Sequence, residues 1–217
     1  MIPLRDAEPS YSRPLVTVLI IVANTVAFVY QLSLDPFSRN HLVEIYGVIP
    51  ARLALVPLLT SMFLHAGWLH FLGNMWFLWI YGDNVEDILG RAKYVLFYLA
   101  CGVAAGMVHV AANLDSRLPT IGASGAIAGV MGAYVVKFPR ARIRTLIPVI
   151  VFFTVIEIPA IVVLGYWFLI QILSGVTAHG GGGVAWFAHV GGFLTGALLV
   201  NLMRPRPAHS RRRDLHW

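Results

Sequence analysis

The chain has 217 residues, of which 58% are hydrophobic and only 12% are charged, and its formal net charge is +6. With a mean hydropathy of +0.74, this composition excludes an ordinary soluble domain and predicts a polytopic membrane protein. Cys101 is the only cysteine, so an intramolecular disulfide is excluded. Its apolar surroundings indicate a small buried hydrophobe.

Six apolar stretches are long enough to be transmembrane helices, which need about 20 residues each. In chain order they are residues 15–34, 65–82, 94–112, 121–138, about 155–173 and 184–203. They predict an all-α membrane protein with a six-helix bundle. The membrane domain covers residues 15–203, between an N-terminal segment at 1–14 and a basic tail at 204–217.

The apolar stretch at residues 143–173 is too long for one transmembrane helix and too short for two. Pro148, Glu157 and Pro159 interrupt this stretch. Its first part, residues 143–154, is rich in β-branched side chains. We therefore assign this part to the cytoplasmic interface and count one span after it.

The positive charges indicate the orientation of the bundle. Only Arg39, Arg52 and Arg117 fall in the predicted outer segments, and the other thirteen of the sixteen Lys and Arg residues fall in the inner ones. This bias follows the positive-inside rule and predicts that both termini are cytoplasmic. The net charge therefore reflects membrane topology, and the basic tail is interpreted as a membrane anchor with no nucleic-acid partner.

Two loops on the outer side have an unusual composition. The first loop, residues 35–64, is apolar for a loop and is expected to rest in the outer interface. The loop before the last span contains four consecutive glycines at 180–183, followed by Trp186 and Phe187. It is either a flexible cover with an aromatic plug or a plain turn with an interfacial aromatic belt.

Polar side chains lie near the outer ends of three predicted spans. The second span carries His70 and Asn74, which share a helix face at i, i+4, the fourth begins near Ser124, and the sixth carries His189. Nucleophilic and ionisable groups inside a membrane are expensive and usually functional. A histidine at the depth of a serine supplies the base that a serine nucleophile needs.

Small residues surround the serine and the histidine. The fourth span carries four glycines and the sixth carries two at a small-xxx-small spacing: Gly122, Gly125, Gly129 and Gly132, then Gly192 and Gly196. Such residues allow two helix backbones to approach closely. The spacing therefore predicts that Ser124 and His189 can come within hydrogen-bond distance.

These motifs together resemble the rhomboid family of intramembrane serine proteases, over residues 15–203. The motifs, in chain order, are His65-x4-His70-x3-Asn74, Gly82-x-x-x-Glu86, Gly122-x-Ser124-Gly125 and Ala188-His189-x-x-Gly192-x-x-x-Gly196. Each motif is weak by itself, but their order and their positions on the predicted spans are specific to this family.

The resemblance implies a serine endopeptidase that cleaves transmembrane segments of membrane proteins near the outer leaflet. Ser124 would be the nucleophile and His189 its base, while His70, Asn74 and the backbone N–H of Ser124 would bind the oxyanion. Gly82 and Glu86 would be structural. The implied partners are transmembrane protein substrates and the lipid bilayer, and no cofactor or metal is expected.

The chain departs from the family pattern in two places. Ala128 stands four residues after the serine, where many relatives have an aromatic residue that stacks on the histidine. A Trp-Arg pair in the first loop is also absent. Asp and Glu are missing from the outer halves of the second, fourth and sixth spans, so we predict a Ser-His dyad. The orientation of His189 must then come from packing or from another group.

Other classes fit the residues less well. A metalloprotease would need His-Glu-x-x-His, and an α/β hydrolase would need Gly-x-Ser-x-Gly after a strand. An intramembrane aspartyl protease would need two acidic residues in spans, whereas Glu157 alone lies in one. The serious alternative is a catalytically inactive relative that binds or escorts membrane proteins, because a fold does not fix a function. The arginine-rich, lysine-poor composition suggests a prokaryotic cell membrane.

Overall fold

The computed structural model describes residues 1–149, 152–177 and 184–204, which are mostly helical. Helices α1 to α4 are Leu15–Ser33, Pro36–Tyr46, Leu55–Thr60 and Trp68–Leu89, and helices α5 to α8 are Arg91–Ala112, Ser124–Lys137, Ala160–Thr177 and Trp186–Leu202. Strands β1 to β3 are Ile2–Asp6, Arg142–Val149 and Phe152–Pro159. Short 3₁₀ helices at Pro50–Arg52 and Ser61–Phe63 lie in the loop between α1 and α4.

Several of these helices can cross a bilayer. Helices α1, α5 and α7 are each long and apolar enough to do so, and the pair formed by Leu55–Phe63 and α4 passes the same test together with a 90° bend. Helices α6 and α8 are apolar but have only 14 and 17 residues. The described residues therefore form a multi-pass helical membrane protein with three such helices, or four if the bent pair is one span.

The expectation of an all-α protein is wrong for residues 142–149 and 152–159. These residues form the β2–β3 hairpin, and β1 pairs with β2 to complete an antiparallel sheet in the order β1-β2-β3. Ile2 lies opposite Leu146, and Asp6 lies opposite Ile143. The fifth apolar helix consequently starts at Ala160 and not near residue 155.

The composition of the hairpin explains why it is a strand pair. Its segment is dominated by Ile, Val, Thr and Phe, which favour strands over helices because their branched or aromatic side chains fit a pleated surface. A lone hairpin is marginally stable, whereas a third strand supplies another hydrogen-bond ladder. That third strand comes from the N-terminal segment, about 140 positions earlier in the chain.

The N-terminal strand is held against the helices by side-chain hydrogen bonds. The indole Nε1 of Trp76 on α4 donates to the Pro3 carbonyl at 2.7 Å, and the Tyr134 hydroxyl on α6 donates to Asp6 Oδ2 at 2.7 Å. Burial raises the pKa of the Asp6 carboxyl above its usual range. Because Tyr134 is ten residues beyond Ser124, which is about 15 Å along a helix, the sheet lies at the far end of α6 from the serine.

Helix α6 is the centre of the core. Every residue from 125 to 134 is buried, and α4, α5, α7 and α8 all pack against it. The largest fully buried side chains include Tyr81, Tyr94, Tyr98 and Tyr134. Cys101 on α5 is also fully buried, as a small residue facing Gly129 of α6. A helix enclosed in this way gives a fixed position to the residue at its start.

Glu86 stabilises the start of α1 from a different helix. Pro14 precedes α1 and has no side-chain cap to offer, but the Glu86 carboxylate on α4 accepts the backbone N–H groups of Val16 and Thr17 at 2.9 and 2.8 Å. It also accepts the Thr17 hydroxyl at 2.9 Å. Gly82 makes room for this contact, because a Cβ there would lie 2.9 Å from both Thr17 Cγ2 and the Tyr94 hydroxyl.

We predict that Glu86→Ala lowers the thermal unfolding midpoint in detergent strongly. The change leaves two buried N–H groups without an acceptor, and each such loss costs about 1–3 kcal/mol. Glu44→Ala removes an exposed carboxylate from α2 and should leave the midpoint nearly unchanged. Equal midpoints for the two variants would contradict the capping role of Glu86.

Candidate active site

The turn before α6 places Ser124 as the first residue of that helix. Gly122 has a φ of +129°, a region that glycine enters without steric cost, and its N–H donates to the Ser61 carbonyl at 2.9 Å. A Cβ at Gly122 would lie 2.6 Å from His70 Cε1. The glycine is therefore required both by the backbone conformation and by the approach of His70.

Ser124 and His189 are hydrogen-bonded. The distance between Ser124 Oγ and His189 Nε2 is 2.7 Å, within the range in which a histidine can take a proton from a serine hydroxyl. His189 lies in the first turn of α8 and is buried, with 8% of its surface exposed. The two residues predicted from separate spans are thus adjacent in the fold.

Helix backbones in contact make this distance possible. A Cβ at Gly192 would overlap the carbonyl oxygen of Gly125, and a Cβ at Gly196 would overlap that of Gly129. A Cβ at Gly132 would in turn overlap the Phe193 carbonyl. Helices α6 and α8 therefore touch along several turns with no side chains between them.

His189 has a second polar partner that the sequence reasoning missed. Its Nδ1 is 2.7 Å from Oε1 of Gln171 on α7, and the Gln171 side chain is buried with 4% exposed. The Trp167 ring lies 5.7 Å from the imidazole, and the Trp186 ring lies 6.4 Å away with its edge toward it. A glutamine in an otherwise apolar helix was the signal in the sequence, because such a group needs a partner.

His70 and Asn74 face the turn before Ser124, as their shared helix face predicted. Nδ1 of His70 lies 3.4 Å from the backbone N–H of Ala66, which donates to it. The opposite nitrogen, Nε2, faces Gly122. Nδ2 of Asn74 is buried and has no hydrogen-bond partner among the described residues, so a buried donor lies near Gly122, two residues before the serine.

His65 and His109 have partners other than Ser124. His65 is 1% exposed and packs edge-on against Phe71, and its backbone is hydrogen-bonded to Gln31. His109 Nε2 lies 2.8 Å from the Thr120 hydroxyl. His179 and the four glycines at 180–183 lie outside the described residues, as do residues 205–217 of the basic tail.

A cavity of about 550 Å³ is lined by the serine and by three histidines, which come from α4, α5 and α8. Its lining includes Ser124, His70, His109, His189, Thr120 and Ala185. Over residues 1–149, 152–177 and 184–204, no group of three or more His, Cys, Asp or Glu side chains could hold a metal ion. The arrangement offers a nucleophile, a base and hydrogen-bond donors around one space.

Residues 52–206 match the family model described as the Rhomboid domain. The chain is 33% identical over 137 residues to presenilin-associated rhomboid-like protein, mitochondrial, of Mus musculus, which is 61% of this chain and 36% of that protein. It is 27% identical over 209 residues to Rhomboid-like protein 11, chloroplastic, of Arabidopsis thaliana, at 89% and 70% coverage. The match spans about a third of the length of the presenilin-associated relatives.

We predict that Gly196→Ala destabilises the protein, because its Cβ would overlap the α6 backbone and overpacking of a core typically costs about 1–3 kcal/mol. Gly165→Ala on α7 is the matched control, since a Cβ there meets nothing within 4 Å. That control should be neutral or slightly stabilising, as alanine is the better helix former. Thermal midpoints in detergent give the comparison, and a stable Gly196→Ala variant would contradict the contact between α6 and α8.

Proposed function

Because the chain belongs to the rhomboid family, we propose that it is an intramembrane serine endopeptidase that uses Ser124 and His189. The observation that carries this proposal is the 2.7 Å hydrogen bond between Ser124 Oγ and His189 Nε2. The two groups also line one cavity, so a peptide carbonyl can reach the serine. The backbone contact between α6 and α8 holds the two helix segments that carry these side chains in fixed positions.

The reaction would proceed by acyl transfer. As Ser124 Oγ attacks the scissile carbonyl, His189 Nε2 takes its proton and then gives that proton to the leaving amine. An acyl-enzyme on Ser124 remains. His189 next takes a proton from a water molecule that attacks this ester, and returns it to Ser124 Oγ as the acid product leaves.

Three donors would stabilise the negative charge of the tetrahedral intermediate. They are the backbone N–H of Ser124, the Nε2–H of His70 and the Nδ2–H of Asn74. The Ser124 N–H has no acceptor within its own helix, because it belongs to the first turn. Asn74 Nδ2 is a buried donor without a partner among the described residues, and donors fixed in a low-dielectric site are worth more than donors in water.

We propose six spans in residues 15–203, with both termini cytoplasmic and the dyad toward the outer leaflet. Helix α6 is about 21 Å long and cannot cross a hydrocarbon core of about 30 Å alone, so Ser124 would lie below the outer surface. The pairing of β1 with β2 keeps the N-terminal segment beside the segment between α6 and α7. Both carry the positive charges that favour the inner side.

The substrate class would be proteins with a transmembrane segment, reached through the bilayer and cut near its outer end. The 14 Arg and 2 Lys residues support a prokaryotic cell membrane as the location, whereas the names of the relatives above place them in mitochondria and chloroplasts. The alternative function is a catalytically inactive factor that binds membrane proteins. It predicts that Ser124 does not react.

We predict that a fluorophosphonate probe labels Ser124, because His189 makes its hydroxyl nucleophilic. His189→Ala should slow labelling by about 10² to 10⁴, the usual contribution of a general base. Ser124→Ala should abolish both labelling and cleavage of a membrane-spanning substrate in proteoliposomes. Ser33→Ala, which removes an exposed hydroxyl at the end of α1, is the control and should behave as wild type.

If the probe fails to label the wild-type protein, and this protein binds the same substrate without cutting it, the protease proposal is contradicted and the alternative function is supported. Full cleavage by Ser124→Ala would exclude the serine mechanism.

We predict that Asn74→Ala lowers kcat by about 10² to 10³, because the loss of one oxyanion donor has this effect, with little change in KM or in the thermal midpoint. His70→Ala should act in the same direction, and the double variant should lose less than the product of the two factors. Asn84→Ala removes another buried asparagine of α4, whose Nδ2 donates to the Glu8 carbonyl. It should lower stability and leave kcat unchanged. If Asn74→Ala instead lowers the thermal midpoint and leaves kcat unchanged, Asn74 is a structural residue.

A further inference from the structure

We propose that Gln171 is the residue that positions His189, so that Ser124, His189 and Gln171 form one chain of hydrogen bonds. The inference rests on the proposed function, since it assigns a role within that site. It adds to the predicted Ser-His dyad the other group that the sequence analysis gave as the alternative to packing for orienting the histidine. Gln171 acts through the imidazole and does not touch the reacting atoms.

The hydrogen bond that His189 donates to Gln171 selects the tautomer of the imidazole. A neutral imidazole carries one proton, and the nitrogen that bears it is the donor. Oε1 of Gln171 can only accept, so at 2.7 Å from Nδ1 it places the proton on Nδ1. Nε2 then presents its lone pair to the Ser124 hydroxyl at 2.7 Å, which is the state that a general base requires.

The orientation of the Gln171 amide is itself fixed. Its Nε2 donates to the Trp167 carbonyl, one helical turn earlier on α7, at 3.3 Å. A flipped amide would turn its oxygen toward that carbonyl oxygen and its N–H groups toward His189 Nδ1. It would lose the bond to Trp167 and favour the tautomer with the proton on Nε2. The observed network therefore holds the amide oxygen toward the histidine.

Aromatic contacts to His189 come from α7 and α8 and not from α6. The position of Ala128 on α6 is fully buried and holds no ring. Trp167 instead lies beside the imidazole at an interplanar angle of 38°, and Trp186 contacts it edge-on at 89°. These rings restrict the plane of the imidazole, and Gln171 favours the one of its two coplanar orientations that turns Nδ1 toward the amide oxygen.

A neutral amide suits this position better than a carboxylate would. His189 and Gln171 are both buried, at 8% and 4% exposed, and an ionised group in such surroundings carries a high desolvation cost. An amide oxygen accepts the Nδ1–H bond before and after Nε2 takes the serine proton. It does so without introducing a charge that would favour the imidazolium over the neutral base.

The test compares Gln171→Met, which has a similar length and no amide, with Gln171→Glu, which retains an acceptor. Gln171→Met should slow fluorophosphonate labelling of the folded protein by about tenfold or more, the factor that corresponds to one net hydrogen bond, whereas a loss of stability alone would leave the labelling rate of the folded fraction unchanged. Gln171→Glu should recover the rate at high pH. In this variant the acid limb of the labelling rate plotted against pH should move to higher pH. The reason is that a carboxylate favours the imidazolium, whereas the base must be neutral.

Gln31→Met is the matched control, because Gln31 is also a buried glutamine, at 3% exposed, with both amide atoms bonded to the His65 backbone. This variant should lower the thermal midpoint while its folded fraction keeps the wild-type labelling rate and pH profile. Wild-type labelling and pH dependence in Gln171→Met would overturn the proposal, as would equal rate losses in Gln31→Met and Gln171→Met.

A readout without catalysis separates this proposal from the proposed function. The readout is the NMR spectrum of protein labelled with ¹⁵N-histidine, in which the imidazole signals that disappear in His189→Ala are those of His189. They should report a proton on Nδ1 in the wild type and a loss of that preference in Gln171→Met. If Ser124 fails to react with the probe but the tautomer changes in this way, the protease function fails and the positioning role stands. An unchanged tautomer overturns the role of Gln171 whatever the activity.

Discussion

The contact between the backbones of α6 and α8 is the constraint on which the site depends. In soluble proteins the hydrophobic effect drives helices together. Lipid provides no such driving force between transmembrane helices, so close packing of small residues holds them together. Gly192 and Gly196 lie directly against the carbonyls of Gly125 and Gly129. Residues without side chains thus determine that Ser124 Oγ and His189 Nε2 are 2.7 Å apart.

Three buried polar side chains of this protein, Glu86, Gln31 and Gln171, are hydrogen-bonded to distant elements. The Glu86 carboxylate accepts three hydrogen bonds from the start of α1, and the Gln31 amide bonds the backbone of His65. Gln171 does the same for His189. An unpaired polar group in apolar surroundings is costly, and Asn74 Nδ2 is one of the buried donors that have no partner in the described part of the chain.

The sheet and the helix that carries Gln171 are directly connected. Strand β3 ends at Pro159 and α7 starts at Ala160, whose N–H donates to the Ala141 carbonyl at the beginning of the hairpin. The hairpin therefore anchors the first residue of α7, and α7 supplies both Gln171 and Trp167 to His189. Three helices, and not two, fix the histidine: α6 through the serine, α8 through the backbone and α7 through the amide.

The sequence by itself determined the membrane class, the apolar helices and the close approach at Ser124 and His189, because hydropathy and glycine spacing are local signals. It also pointed to His70 and Asn74 on one helix face. Only the tertiary structure decided that residues 142–149 and 152–159 belong to a sheet, since the strand that pairs with β2 comes from residues 2–6. It alone brought Gln171 to His189, because a partner 18 positions away on another helix leaves no spacing motif and is defined only by how the helices pack.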